Sequence, residues 1–314
     1  MKTQRTLRRA SGFTLIELMV AMTITALIVT VLVSITAIAL DTWTRSRAEV
    51  RAARQSKSMV DSMARDLEAL VNRRGTNIEW LSAVTTPLAI KGETPSIDSP
   101  NAASLIFYTS PTDRYDGDVS EEAEVIGDVS CVGYQLKYQD PIQMQGSKEL
   151  PTFVLYRNLV NPDKTYDSLL SKANRSATSL RSMFEEAFGA EMDKSENFVC
   201  ENIFQFTVTA NVTVGKNTAN PIVVPITLGG EGASATEFRL EAGNIITDYS
   251  SSGDVSNDDI RLGNLSSIEV SLTVLSDAGV EQMRKRSFKT PADREEFLAK
   301  NTYQYSKLVQ VATP

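Results

Sequence analysis

A chain of 314 residues with 42% hydrophobic content is long enough to bury a sizeable core in one large domain or two small ones. Its formal charge is −7 at neutral pH, and it contains no histidine. The acidic balance argues against a nucleic-acid partner, which needs a basic patch to neutralise phosphates. The missing histidine removes Ser-His-Asp and Cys-His nucleophile systems, HExxH metalloprotease sites and most zinc sites.

The chain opens on a short basic leader with Lys2, Arg5, Arg8 and Arg9 and no acid, ending at Gly12. From Phe13 to Leu40 run 28 residues whose only charge is Glu17. A helix of about 20 apolar residues, rising roughly 1.5 Å each, crosses the hydrocarbon core of a bilayer. A carboxylate in that setting costs on the order of several kcal/mol unless a positive group meets it. Cleavage after Gly12 would create such a group, because Phe13 becomes the amino terminus about one helical turn from Glu17. With the four leader cations gone, the net charge moves from −7 to −11. The positive-inside tendency places the leader on the cytoplasmic side. Arg45, Arg47, Arg51, Arg54 and Lys57 on the far side blunt that signal. An ordinary secretory signal has an apolar core of about 7 to 15 residues, shorter than this run, and a plain anchor explains neither Gly12 nor Glu17.

The stretch Gly12-Phe13-Thr14-Leu15-Ile16-Glu17 resembles the type III signal of type IV prepilins and type II secretion pseudopilins. The resemblance implies a prepilin peptidase that cuts between Gly12 and Phe13 and methylates the Phe13 amine. It also implies that Glu17 pairs with the amine of a neighbouring subunit as the helix leaves the bilayer for a filament. Everything after the helix is then expected outside the cytoplasm.

Beyond Leu40 the helical period continues, with Trp43, Val50, Met59, Val60, Met63, Leu67, Leu70 and Val71 spaced along an otherwise polar segment. No Gly or Pro interrupts Phe13 to Arg74, and Gly75 is a candidate C-cap. The expectation is one helix of about 60 residues, roughly 90 Å long, whose first half is apolar all round. Major pilins commonly carry a proline in that half; here the first is Pro87.

Residues 76–102 read as loop, with Pro87, Pro95 and Pro100 among polar residues. Beyond them the period changes to two. Strands are expected at 104–109, 130–138, 152–159, 202–214, 222–228, 267–275 and 303–311. The fold class is α+β and pilin-like, a long N-terminal helix packed on a mostly antiparallel sheet head. Residues 166–197 have helical spacing and form an inserted helical excursion, and 291–300 is a short helix. The domain plan is a leader at 1–12, a membrane or filament-core helix at 13–40, an amphipathic continuation at 41–75, and an extracytoplasmic head at 76–314.

Within the head, Arg65-Asp66-Leu67, Val132-Gly133-Tyr134-Gln135-Leu136, Leu155-Tyr156-Arg157 and Ile268-Glu269-Val270-Ser271-Leu272 are similar to J-type minor pseudopilins. They also resemble the prepilin-like family called Verru_Chthon cassette protein C.

Cys131 and Cys200 are either one disulfide, which an extracytoplasmic compartment permits, or two small buried hydrophobes. No cofactor is expected. Asp113, Asp116 and Asp118 are the candidate calcium ligands, but their spacing does not match an EF-hand, and acid runs are usually solvated surface. Asp254, Asp258 and Asp259 form a second acid cluster, and Gly229-Gly230-Glu231-Gly232 lacks the Lys of a phosphate-binding loop and reads as a turn.

These readings converge on a non-enzymatic filament subunit. It is expected first as a single-pass inner-membrane precursor with a periplasmic head, then in a periplasmic or surface filament. Its partners would be prepilin peptidase, other pilin-like subunits in a hetero-oligomeric filament, and an inner-membrane assembly platform. The J-type minor pseudopilin of a type II secretion system leads, the minor type IV pilin follows, and a membrane-anchored adhesin or uptake module is the alternative from another class.

Overall fold

A computed structural model describes residues 14–73, 77–88, 99–110, 128–141, 151–171, 179–215, 221–230, 232–250, 255–285, 288 and 290–312. Gly12, Phe13, Gly75, Asp113, Asp116, Asp118 and Asp254 lie outside these residues. The chain divides into two compact units, Met1–Val50 and Arg51–Pro314.

Helix α1 spans Leu15–Glu68, 54 residues in one run. In the first unit its apolar residues are exposed on every side, from Leu15 and Ile16 through Ile28 and Leu32 to Leu40. Six hydroxyls in this stretch cause no polar break. Thr23, Thr25, Thr30, Ser34, Thr36 and Thr42 each donate to the carbonyl four residues back, at 2.8 or 2.9 Å. Their donors are thus spent inside the helix, and between Leu18 and Leu40 what the helix offers its surroundings is hydrocarbon.

In the second unit the helix is one-sided. Ala52, Ser56, Met59, Val60, Met63, Ala64, Asp66 and Leu67 are buried, at steps that keep one face inward. The helix stops at Glu68, earlier than a Gly75 cap would place it, because tertiary hydrogen bonds take over the backbone. Val71 N donates to Tyr108 O at 2.9 Å, Ser110 N donates to Ala69 O at 3.0 Å, and Leu70 bridges to Thr109.

The head contains β1 (Glu79–Leu88), β2 (Ser99–Thr109), β3 (Ser130–Gln139), β4 (Thr152–Val160), β5 (Phe198–Glu201), β6 (Ile203–Val214), β7 (Ile222–Leu228), β8 (Glu237–Glu241), β9 (Asn244–Thr247), β10 (Asn264–Leu275) and β11 (Thr302–Gln310). They form a seven-stranded sheet of order β5-β4-β3-β2-β1-β8-β9 and a four-stranded sheet of order β11-β10-β6-β7. All pairs are antiparallel. The long helix followed by antiparallel sheets is the α+β, pilin-like architecture.

One residue carries the chain from sheet to sheet. β5 ends at Glu201 in the larger sheet and β6 begins at Ile203 in the smaller, and Asn202 between them has φ +63°. Asparagine tolerates this left-handed conformation better than most residues. Its side chain is held on both sides: Thr152 Oγ1 donates to Oδ1 at 2.8 Å, and Nδ2 donates to Asp277 Oδ1 at 2.9 Å.

The main core joins the buried face of α1 (Met59, Met63, Leu67) to one face of the larger sheet (Leu105, Val132, Leu155) and one face of the smaller (Phe206, Val208, Val270). The opposite face of the larger sheet is covered by the helical excursion. This comprises α2 (Pro162–Thr165), the π-turn Tyr166–Leu170, and α3 (Leu180–Phe188) with Ser179 as its N-cap. Leu169, Leu180, Met183, Phe184 and Phe188 pack there on Trp80, Ile106, Tyr108 and Cys131. Three further helices are α4 (Asn257–Arg261), α5 (Asp277–Lys285) and α6 (Pro291–Asn301).

Two sequence expectations are corrected. Residues 76–102, read as loop, contain β1 and the start of β2. Pro87 drew the loop reading, but it sits where the β1–β2 register shifts, past Val84, the last β1 residue paired with β8, so no ladder bond needs its missing N–H. The candidate disulfide does not form: Cys131 and Cys200 are separate free thiols. Cys131 lies in the core under the helical excursion and Cys200 in the core under α1, on opposite faces of the larger sheet. Strand β4 lies between them, and their partners on it, Val160 and Leu155, are themselves several residues apart. That separation exceeds the reach of a bridge, about 7 Å between Cα atoms.

Candidate functional site

The helix start and the helix-to-head contacts carry the polar chemistry. Thr14 precedes the first helical residue, and Glu17 is the third inside it. Thr14 N and Thr14 Oγ1 both donate to Glu17 Oε2 at 2.9 Å, while Glu17 N donates back to Thr14 Oγ1 at 3.4 Å. This reciprocal pattern is a capping box, which satisfies two orphan donors of the first turn. Sequence reasoning placed Glu17 but missed the box, although Thr14-Leu15-Ile16-Glu17 is its signature. Glu17 therefore has a local structural role beside any intermolecular one, and its carboxylate is exposed on a helix apolar around it.

Among the described residues, α1 is the one helix long and apolar enough to cross a membrane. At its other end Asp66, 8% exposed, is gripped by the head. Arg157 on β4 donates from Nε to Oδ2 at 2.8 Å and from Nη2 to Oδ1 at 2.9 Å. The Tyr134 hydroxyl on β3 donates to Oδ2 as well, and Arg157 Nε also reaches the Tyr134 oxygen at 3.0 Å. Burial works against the Arg157 charge, but the hydrogen bonds to Asp66 outweigh it and raise its pKa. Burial, then the Asp66 charge, pushes the Tyr134 phenol well above its usual range, so it stays a donor. Three of the short patterns quoted from the sequence, around Asp66, Tyr134 and Arg157, thus meet in one cluster. Their spacing along the chain carried no sign of it.

Two weaker ties lie along the same helix. Lys307 Nζ on β11 contacts Asp61 Oδ1 at 2.8 Å. Arg51 Nη1 contacts Asp277 Oδ2 at 3.0 Å, beside the Asn202 corner.

The remaining candidates have structural work. Asp259 closes a capping box with Ser256 at α4, and Asp258 pairs with Arg261 at 3.4 Å. Gly229 and Gly230 both have positive φ, as a turn requires. Burial pushes the Cys200 thiol up to about 12 and the Cys131 thiol well above its ordinary value, which leaves both protonated and unreactive. No group of three metal-ligating residues occurs among the described residues.

Residues 7–39 match the family model of the prokaryotic N-terminal methylation motif. That match takes in Gly12, Phe13 and Glu17, and it supports the type IV pilin and pseudopilin class. A motif of this kind implies processing by a prepilin peptidase and assembly with other pilin-type subunits. No curated protein and no solved structure matches the chain.

Proposed function

We propose that this protein is a minor pseudopilin-like subunit of a type II secretion pseudopilus, cut between Gly12 and Phe13 and methylated on the Phe13 amine. The observation that carries the reading is the methylation motif at 7–39, which runs into a helix from Leu15 whose apolar residues are exposed all round as far as Leu40 and which continues, unbroken, into the core of an α+β head. An exposed apolar surface of that extent needs lipid or other helices around it. The precursor sits in the inner membrane with the head in the periplasm. Assembly then exchanges lipid for neighbouring helices, with Glu17 neutralising the amine of an adjoining subunit. The work is structural rather than catalytic. The J-type over the minor type IV pilin rests on the head patterns around Asp66, Tyr134 and Arg157, and a minor over a repeating subunit rests on the size of the head and the absence of a proline between Phe13 and Arg74.

The test is the intact mass and amino-terminal sequence of the mature protein from membranes. A start at Phe13 with one added methyl is expected. A start at Met1 would leave a simple anchor, and a start near Leu40 would mean ordinary secretion.

A further inference from the structure

A cavity of about 280 Å³ opens beside the end of β4, between the two arms of the helical excursion. Asn158, Lys164, Phe188, Glu191, Glu196 and Asn197 contribute to its wall. Asn158 is only 6% exposed, yet its Nδ2 has no hydrogen-bond partner among the described residues. A buried amide left unpaired is costly in a native fold and calls for an explanation.

The chemistry of the wall narrows what could answer it. A carboxamide can present nitrogen or oxygen by rotation, and the group that satisfies it either way is a hydroxyl, which both donates and accepts. The wall carries both signs of charge, Lys164 together with Glu196 and Glu191, and Glu191 is paired with Lys194 at 3.1 Å. An anion would meet the carboxylates and a cation would meet Lys164, so a neutral ligand is favoured over either. Phe188, buried on the sheet, gives one wall an apolar face suited to C–H groups. The turn carrying the acids is fixed by Asn197 Nδ2, which donates to Glu191 O at 2.8 Å.

We propose that this cavity binds a neutral polyhydroxylated ligand, a single saccharide unit, with Asn158 at its floor and Lys164 and Glu196 at its rim. The site lies wholly in the head and does not depend on the filament reading.

The test uses the full-length protein in a zwitterionic, sugar-free detergent, with glucose and N-acetylglucosamine as probes and acetate and lysine as charged controls. Calorimetry or saturation-transfer NMR is expected to show at least one sugar binding with a Kd of order millimolar, the range of a small polar site. The exposed-rim variants Lys164→Ala and Glu196→Gln should each weaken it several-fold. Asn158→Leu should abolish it without lowering the melting temperature, since the unpaired Nδ2 is removed. Neither sugar binding at about 50 mM overturns the proposal. Binding that survives all three variants, or charged controls that bind as well as the sugars, does the same.

Discussion

Arg157 holds Asp66 by two parallel hydrogen bonds, from Nε at 2.8 Å and Nη2 at 2.9 Å, and so fastens the last turn of α1 to β4, beside the edge strand of the seven-stranded sheet. Both side chains are largely buried, with Tyr134 closing the third side. Removing one partner leaves a charge in a poor dielectric, which costs far more than the pair gains over two well-packed hydrophobic residues. Arg157→Ala should therefore destabilise the head by about 3 kcal/mol, measured by denaturant unfolding. The double variant Asp66→Leu with Arg157→Met should recover most of that loss. Equal destabilisation in the single and double variants would mean that packing, not the stranded charge, sets the cost.

Asn202 carries the corner between the two sheets at φ +63°. Asn202→Gly keeps the backbone relaxed and loses only the bonds to Thr152 and Asp277, at a cost of about 1 kcal/mol. Asn202→Val adds a β-branched side chain in the left-handed region and should cost about 1 to 2 kcal/mol more. The ordering of the two variants in thermal unfolding is the check, and a valine variant as stable as the glycine one would contradict it.

Glu79 accepts from Leu180 N at 2.9 Å at the start of α3, while its other oxygen, Oε1, is buried and unpaired. Burial raises its pKa above the ordinary 4.5, and the Leu180 bond, the Ser82 hydroxyl and the Arg239 charge only partly offset this. The folded state thus holds its proton more tightly than the unfolded chain. The associated stability is present below about pH 4.5 and is lost as pH rises through the folded pKa. Glu79→Gln should flatten that part of the pH–stability curve and be neutral or stabilising by up to about 1 kcal/mol at pH 7. An unchanged pH profile would remove Glu79 as its source.

Glu17 caps its own helix, and under the proposed function it also supplies a charge for a neighbour's amine. Glu17→Gln keeps an oxygen for Thr14 and removes the charge, whereas Glu17→Ala removes both. Both variants should be processed normally, because the cut precedes Phe13. If charge pairing drives assembly, both should be lost from the filament fraction in cross-linking. Normal incorporation of the glutamine variant alone would reduce Glu17 to a helix cap.

Local chemistry made much of this protein legible in one dimension. The basic leader, Gly12-Phe13 and an apolar run broken only by Glu17 identify the N-terminal element without reference to any fold, because membrane length and a cleavage motif are properties of consecutive residues. Alternation within 202–214 and 222–228 likewise exposed β6 and β7, since each has one face in a core, and 130–138 and 152–159 marked β3 and β4, which are buried on both faces. β8 and β9 escaped because they are short and their turn, Ala242-Gly243, has positive φ at both residues but lacks the usual Asn or Asp.

Other features required the chain to be folded before they existed. Asp66, Tyr134 and Arg157 are separated by 68 and 23 positions, and only the order β4-β3-β2 under the end of α1 brings them into contact. The two cysteines suggested a bridge by compartment and number, but pleating sent Cys131 and Cys200 to opposite faces of one sheet. Sequence determined the membrane-length helix, its processing motif and the α+β class, because these follow from periodicity and adjacent residues. Tertiary structure alone decided where α1 ends, which charges meet and which thiols stay apart, because those depend on strand order and on which face each side chain buries.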